Sequence, residues 1–231
     1  MLEYFARIKI GLLLKVMVEY TGVTLNVFFL TLIFSIPLAF IICAGRMSRV
    51  KIISSITNVF LLIIRGTPLM LQLIFVYFAP PYIFGVGINR NVAAIIAMSI
   101  NYAAYFAEIY RSGFQSIPVG QYEAAKVLGF SKMHTFFRII VPQVFKRILP
   151  AVGNEVITLV KDTALVQVIG VIELFHVAHT QSGRLVSVMP LFIAGVIYFV
   201  LNWIVSKSFD FMEKKLAYYK YWKRNHSRRK H

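Results

Sequence analysis

The chain has 231 residues, 58 % of them hydrophobic and only 15 % charged, with a mean hydropathy of +0.72, which excludes an ordinary soluble domain and marks an integral membrane protein before any motif is read. The net charge of +16 does not make it a nucleic-acid binder, because the basic residues sit between apolar runs and in the C-terminal tail rather than on one folded basic domain. The single cysteine, Cys43, excludes an intrachain disulfide and a cysteine-based metal site.

Met1 to Tyr20 places Leu2, Phe5, Ile8, Leu12 and Val16 on one helical face, with Arg7, Lys9 and Lys15 elsewhere. The pattern suits a helix lying in the membrane interface and, equally, an extension of the first membrane helix. Charges interrupt its apolar stretches and no small-residue cleavage site follows, so it does not read as a removable signal peptide. Val23 to Ala44 is the first clear span, an uncharged run long enough to cross about 30 Å of hydrocarbon at about 1.5 Å per residue, with Pro37 as a candidate kink.

A second apolar stretch, Ile52 to Ala79, is interrupted near its middle by Arg65, Gly66, Thr67 and Pro68. Proline removes a backbone donor, so a bend is expected there, with the freed carbonyls satisfied by neighbouring helices or water. Residues 80–91 read as a turn on the opposite side. The third span, Val92 to about Ile109, is rich in Ala and Ser, which lets helix backbones approach closely in lipid. A polar amphipathic interval covers residues 116–142, where Gly129 supplies a turn and Ser131 a candidate N-cap. A fourth span from about Ile148 to Ile172 carries Asn154, Glu155, Thr158, Lys161, Asp162 and Gln167. After a loop containing Gly and His, Val186 to Val205 makes the fifth, and a basic tail follows. The chain thus divides into an N-terminal interfacial, extracytoplasmic segment (1–22), a transmembrane domain (23–210) and a basic cytoplasmic tail (211–231).

Lys and Arg bias fixes the orientation. With the N-terminus outside, eighteen basic residues fall on the inner side and five (Arg7, Lys9, Lys15, Arg90 and Arg184) on the outer, with Arg65 and Lys161 inside spans. This places residues 116–142 and the tail in the cytoplasm.

An ionisable group at mid-bilayer costs about 3 kcal/mol on insertion scales, so each needs a partner, a cavity or a function. Ala97, Asn101, Ala104 and Glu108 share one face of the third span, and Glu155, Thr158 and Asp162 one face of the fourth. Two readings fit. The faces line a polar chamber, or Glu108 and Asp162 pair with Arg65, Lys161 or Arg111 and hold the bundle together.

Glu123-Ala124-Ala125, Gly129, Ile139 and Pro142 follow the spacing of the EAA loop of ATP-binding-cassette importer permeases, with Val141 in place of the usual Leu. The match extends through Arg65-Gly-Thr-Pro-Leu69 with Gln72, Tyr105, Ala107-Glu108, Arg111, Pro142-Gln143, Asn154, Lys161-Asp162-Thr163 and Glu173-Leu174. On these motifs the chain resembles the polar amino-acid uptake permeases, although Thr163-Ala164 stands where the family often has Thr-Ser. The resemblance implies an all-α integral membrane fold, five transmembrane helices with cytoplasmic EAA coupling helices (type I importer permease). It implies that Glu123, Ala124, Ala125 and Gly129 seat on a cytoplasmic ATPase dimer. It further implies that Asn101, Ala104, Glu108 and Asp162 line a substrate site, and that Arg65 and Lys161 are gating or structural charges. The partners so implied are a second, identical or different, permease subunit, an extracytoplasmic substrate-binding protein and an amino acid.

The chain contains no phosphate-binding loop and no Gly-Lys pair, so ATP and Mg²⁺ are expected on the partner ATPase rather than here. His176 and His179 lack the spacing and acidic neighbours of a zinc site. No nucleophile, base and orienting acid are evident, so the expected protein is a permease and not itself an enzyme. The competing readings are a stand-alone channel or secondary carrier, and a permease of the same architecture for another solute such as an opine.

Overall fold

A computed structural model describes residues 2–216, with side chains from Gly11 onward, and among these every regular element is helical. The expected basic tail, 211–231, therefore lies largely outside the described residues. Helix α1 runs unbroken over Leu2–Arg46. Nothing between Tyr20 and Val23 stops it: the Thr21 hydroxyl bonds back to the Met17 carbonyl at 2.8 Å, a contact helices accommodate internally. The interfacial segment is thus continuous with the first span, and at 45 residues, about 68 Å, the helix is far longer than the hydrocarbon core.

The second apolar stretch bends where expected, but sharply: two 16-residue helices, α2 (Lys51–Gly66) and α3 (Leu69–Phe84), meet at 108°. The cause is local. Pro68 forces Thr67 into extended backbone (φ −116°, ψ 146°), ending α2. Each arm is about 24 Å long, too short to cross the hydrocarbon alone.

Helix α4 (Arg90–Gln115), capped by the Asn89 side chain on the Asn91 N–H at 2.9 Å, is the centre of the molecule. Ala93, Ala94, Ala97, Ala103, Ala104 and Ala107 are all buried, and these small surfaces let α1, α2, α3 and α7 pack onto it. Close approach is tightest at Gly113, where a Cβ would run into Ile148 and lie 2.9 Å from Val144 Cγ1 of α7.

After α4 come the short helices α5 (Val119–Val127) and α6 (Lys132–His134), a π-helical stretch Thr135–Ile140, and α7 (Val141–Asp162). α7 tightens into a 3₁₀ segment, Thr163–Ile169. The sequence assigned the following Gly- and His-containing residues to a loop; they form a further helix, α8 (Leu174–Leu185), and the last helix, α9, covers Met189–Leu216. Glu173 explains why α8 exists. Its fully buried carboxylate accepts the N–H groups of Phe175 and His176, both at 2.7 Å, and the Tyr198 hydroxyl of α9 at 2.9 Å. Thr24 of α1 joins this knot by accepting the Leu174 N–H at 3.2 Å, beside a small core of Leu13, Met17, Leu174, Val177, Ala178 and Ala194.

Among the described residues three helices, α1, α4 and α9, are long and apolar enough to cross a membrane, and the bent pair makes a fourth if taken as one span. Helix α7 falls outside that set because Lys146, Arg147, Asn154, Glu155, Lys161 and Asp162 dilute its apolar residues. The surroundings differ accordingly: 61 % of the apolar stretch of α4 is buried in protein, against 11 % for α9.

Candidate functional site

The polar centre of the fold is where the α2–α3 elbow meets α4. Ending α2 at Gly66 leaves carbonyls without helical donors. Gln72, on the first turn and a half of α3, reaches back and supplies one: its Nε2 donates to Ile64 O at 2.7 Å, Thr67 O at 3.1 Å and Thr67 Oγ1 at 2.9 Å. The Gln72 Oε1 then accepts from Asn101 Nδ2 at 3.0 Å. Arg65 makes a second tie, its guanidinium 5.4 Å from the Tyr105 ring centre. Asn101, Tyr105 and Glu108, spaced four and three apart, therefore present one face of α4 to the elbow.

Glu108 is bound to Arg111 one turn on through three contacts, the shortest at 2.7 Å from Nη2 to Oε2. Arg65 and Arg46 stand farther off, Nη1 at 3.8 Å and Nε at 3.9 Å from its carboxylate oxygens. One carboxylate thus serves three arginines from α1, α2 and α4. Asp162 is placed differently: its Oδ2 accepts the Tyr102 hydroxyl at 2.7 Å, which sets the end of α7 level with the midpoint of α4. Glu155 lies within electrostatic reach of both Asp162 and Arg65.

Of the residues expected to line a substrate site, Asn101 and Asp162 come to the centre of the bundle from α4 and α7. Glu108 lies two turns along α4 in its arginine cluster, and the Ala104 methyl is fully packed into the core. Arg65 takes part in the cluster, whereas Lys161 is exposed and forms no ion pair among the described residues. Tyr102 and Arg46 join the centre through contacts that cross between helices, whereas the Glu108–Arg111 pair lies within α4 and its spacing, like the pairing of Glu108 with Arg65, is among those the sequence offers.

The interval 116–142 folds as a hairpin. α5 ends in a left-handed turn at Gly129 (φ +75°), with Phe130 N–H donating to Ala125 O and Gly129 N–H to Lys126 O, both at 3.0 Å. Ser131 then caps the next helix through the His134 N–H at 3.2 Å. Ala125 is buried, while Glu123, Ala124 and Gly129 are exposed, as are Val127 (87 %), Leu128 (69 %) and Met133 (67 %). The hairpin is fastened at its base: Gln143 donates to Gln121 at 3.1 Å, Arg147 Nη1 to the Ser116 carbonyl and hydroxyl, and the Phe114 and Phe136 rings stack 5.7 Å apart.

Residues 35–218 match the family model described as binding-protein-dependent transport system inner membrane component. The chain belongs to that family. Its members are membrane components of transport systems, so this permease works in the inner membrane. It is 37 % identical over 199 residues to an arginine transport system permease protein of Bacillus subtilis, covering 86 % of this chain and 91 % of that protein. It is 36 % identical over 198 residues to an L-cystine transport system permease protein of the same organism, covering 85 % and 84 %. A crystal structure of an amino acid ABC transporter superposes with a TM-score of 0.81 at 33 % identity, over 91 % of this chain and 97 % of that one.

Proposed function

We propose that this permease carries an amino acid inward by alternating access, through a path framed by α4 and α7, driven by an ATPase dimer seated on the 116–142 hairpin. One observation carries the reading. The two helices joined by the Tyr102–Asp162 hydrogen bond, α4 and α7, are the two that run directly into the hairpin, and its base is fastened to both. Any force on the hairpin is therefore delivered to the polar centre. Exposed Val127, Leu128 and Met133 offer a partner apolar area that water would leave uncovered.

In this reading α7, sheltered within the bundle, counts as a span despite its charges, and with the bent pair counted once the permease has five. The Lys and Arg bias supports an outer N-terminus and an inner hairpin. ATP and Mg²⁺ are held by the partner, since this chain has no phosphate loop. A second permease subunit completes the path, and an extracytoplasmic binding protein delivers the substrate. The relatives' names point to polar amino acids such as arginine or cystine.

The test is uptake in proteoliposomes containing the permease with its ATPase and binding protein, using radiolabelled arginine, glutamine and cystine. ATP-dependent uptake of at least one, lost in Asp162→Asn and weakened in Asn101→Leu, is expected. Flux through the permease alone would instead support a stand-alone channel or carrier.

A further inference from the structure

The orientation of the Asn101 carboxamide is dictated from the elbow. Gln72 sits where three oxygen acceptors converge, Ile64 O, Thr67 O and Thr67 Oγ1, so its NH₂ group must face them. Its Oε1 is thereby turned toward α4 and can only accept. Asn101 must answer with its own NH₂, at 3.0 Å. The Asn101 Oδ1 is then turned away from the elbow; among the described residues it has no hydrogen-bond partner, and it is not one of the fully buried polar atoms left unpaired, so it keeps some accessible surface. A break in the backbone at Pro68 thus fixes, through two side-chain amides, which end of a buried amide is left free.

We propose that Gln72 is a positioning residue for transport: it holds Asn101 with Oδ1 presented to the path, where that oxygen accepts a hydrogen bond from an N–H donor of the substrate, an ammonium, guanidinium or amide group. The proposal rests on the reading that Asn101 contacts substrate. A free acceptor oxygen on α4, with the Asp162 carboxylate held by Tyr102 of the same helix, favours a solute that carries donors, and an amino acid supplies at least its α-ammonium group. A rotated Asn101 would present NH₂ to the same donor and repel it.

The complete complex, with ATPase and binding protein, is reconstituted and the KM and kcat for uptake of radiolabelled arginine and glutamine are measured for Gln72→Leu, Asn101→Leu and the double variant. Each single variant is expected to raise KM about tenfold, equivalent to about 1.4 kcal/mol, with a smaller change in kcat. The double variant is expected to show the same tenfold and not a hundredfold, because Gln72 acts through Asn101. Asn101→Asp separates positioning from mere support of the elbow: both of its oxygens accept, so which end faces the path no longer matters, and in that background Gln72→Leu is expected to change KM by less than about threefold. Gln72→Met, of similar length and without hydrogen-bonding groups, replaces Gln72→Leu throughout if that variant fails to assemble. Additive single effects, an unchanged KM in Gln72→Leu, or a tenfold rise in KM when Gln72→Leu is added to Asn101→Asp overturns the proposal. An unchanged KM in Asn101→Leu overturns the underlying assignment of Asn101 to the substrate site.

Discussion

Gly129 allows the docking role of the hairpin to be tested apart from its folding. Its φ of +75° disfavours residues with a Cβ, and the two bonds that close α5 depend on that turn. Among the described residues no atom beyond its chain neighbours lies within 4 Å of where a Cβ would sit, so the intrinsic cost of substitution is backbone strain. That cost is about 1–2 kcal/mol for Ala and less for Asn or Asp, which visit left-handed conformations more readily. Asn and Asp have nearly the same shape here and differ mainly in charge. If an ATPase covers this turn, Gly129→Asp buries an uncompensated carboxylate and costs at least about 2 kcal/mol, roughly thirtyfold in ATPase affinity, relative to Gly129→Asn. The assay is co-purification of the ATPase together with uptake per ATP hydrolysed. Gly129→Asn should retain most coupling and Gly129→Asp should lose it. Equal coupling in the two variants, with the ATPase bound, refutes the seating of this turn under the ATPase.

Three further outcomes concern the scaffold. Gly113→Ala, which drives a methyl into Ile148 and Val144, should lower stability by about 1–3 kcal/mol, seen as a fall of several degrees in the thermal midpoint in detergent. Glu108→Gln leaves three guanidinium groups around a neutral amide and should cost about 1–3 kcal/mol, partly recovered by adding Arg46→Leu; a raised KM with no loss of stability would instead assign Glu108 to substrate. Glu173→Gln turns an NH₂ toward backbone donors that a carboxylate satisfied, and a loss of about 1–3 kcal/mol is expected in the same melting assay, with Tyr198→Phe costing about 1 kcal/mol.

What could be read from the sequence was what is local along a helix. Apolar runs located α1, α4 and α9, Gly129 and Ser131 announced the turn and cap of the hairpin, and Pro68 announced a break. The size of that break was not legible: the sequence marks where a helix ends but not the angle at which its continuation packs, and the 108° elbow depends on Gln72 and Arg65 finding partners on α4. α8 was missed for the same reason. Its N-cap Glu173 lies buried among Thr24 and Tyr198, far apart in the chain, and a glutamate ahead of a His-containing stretch carries no helix signal strong enough to outweigh the Gly and Ser beside it.

The arginine cluster shows how the proposed cycle can proceed without stranding a charge. A nucleotide shifts a conformational equilibrium only by its differential affinity for the two states, and a nearly complete reversal needs about 5.5 kcal/mol. Contacts that break during the switch must cost less than that supply. Within α4 the Glu108–Arg111 pair is short and threefold, so it travels with its helix, whereas the links to Arg65 and Arg46 on α2 and α1 are long, at 3.8 and 3.9 Å. In the proposed motion α4 and α7 tilt with the hairpin, the elbow follows α4 through the Gln72–Asn101 bond, and α1 shifts past Glu108. The carboxylate stays neutralised by its own helix, and the long links to Arg46 and Arg65 stretch or exchange for water at the cost of two weak pairs, each about 1 kcal/mol or less. The sum lies within what one nucleotide-driven closure can supply, which a Glu108 bonded tightly to α1 or α2 would not allow.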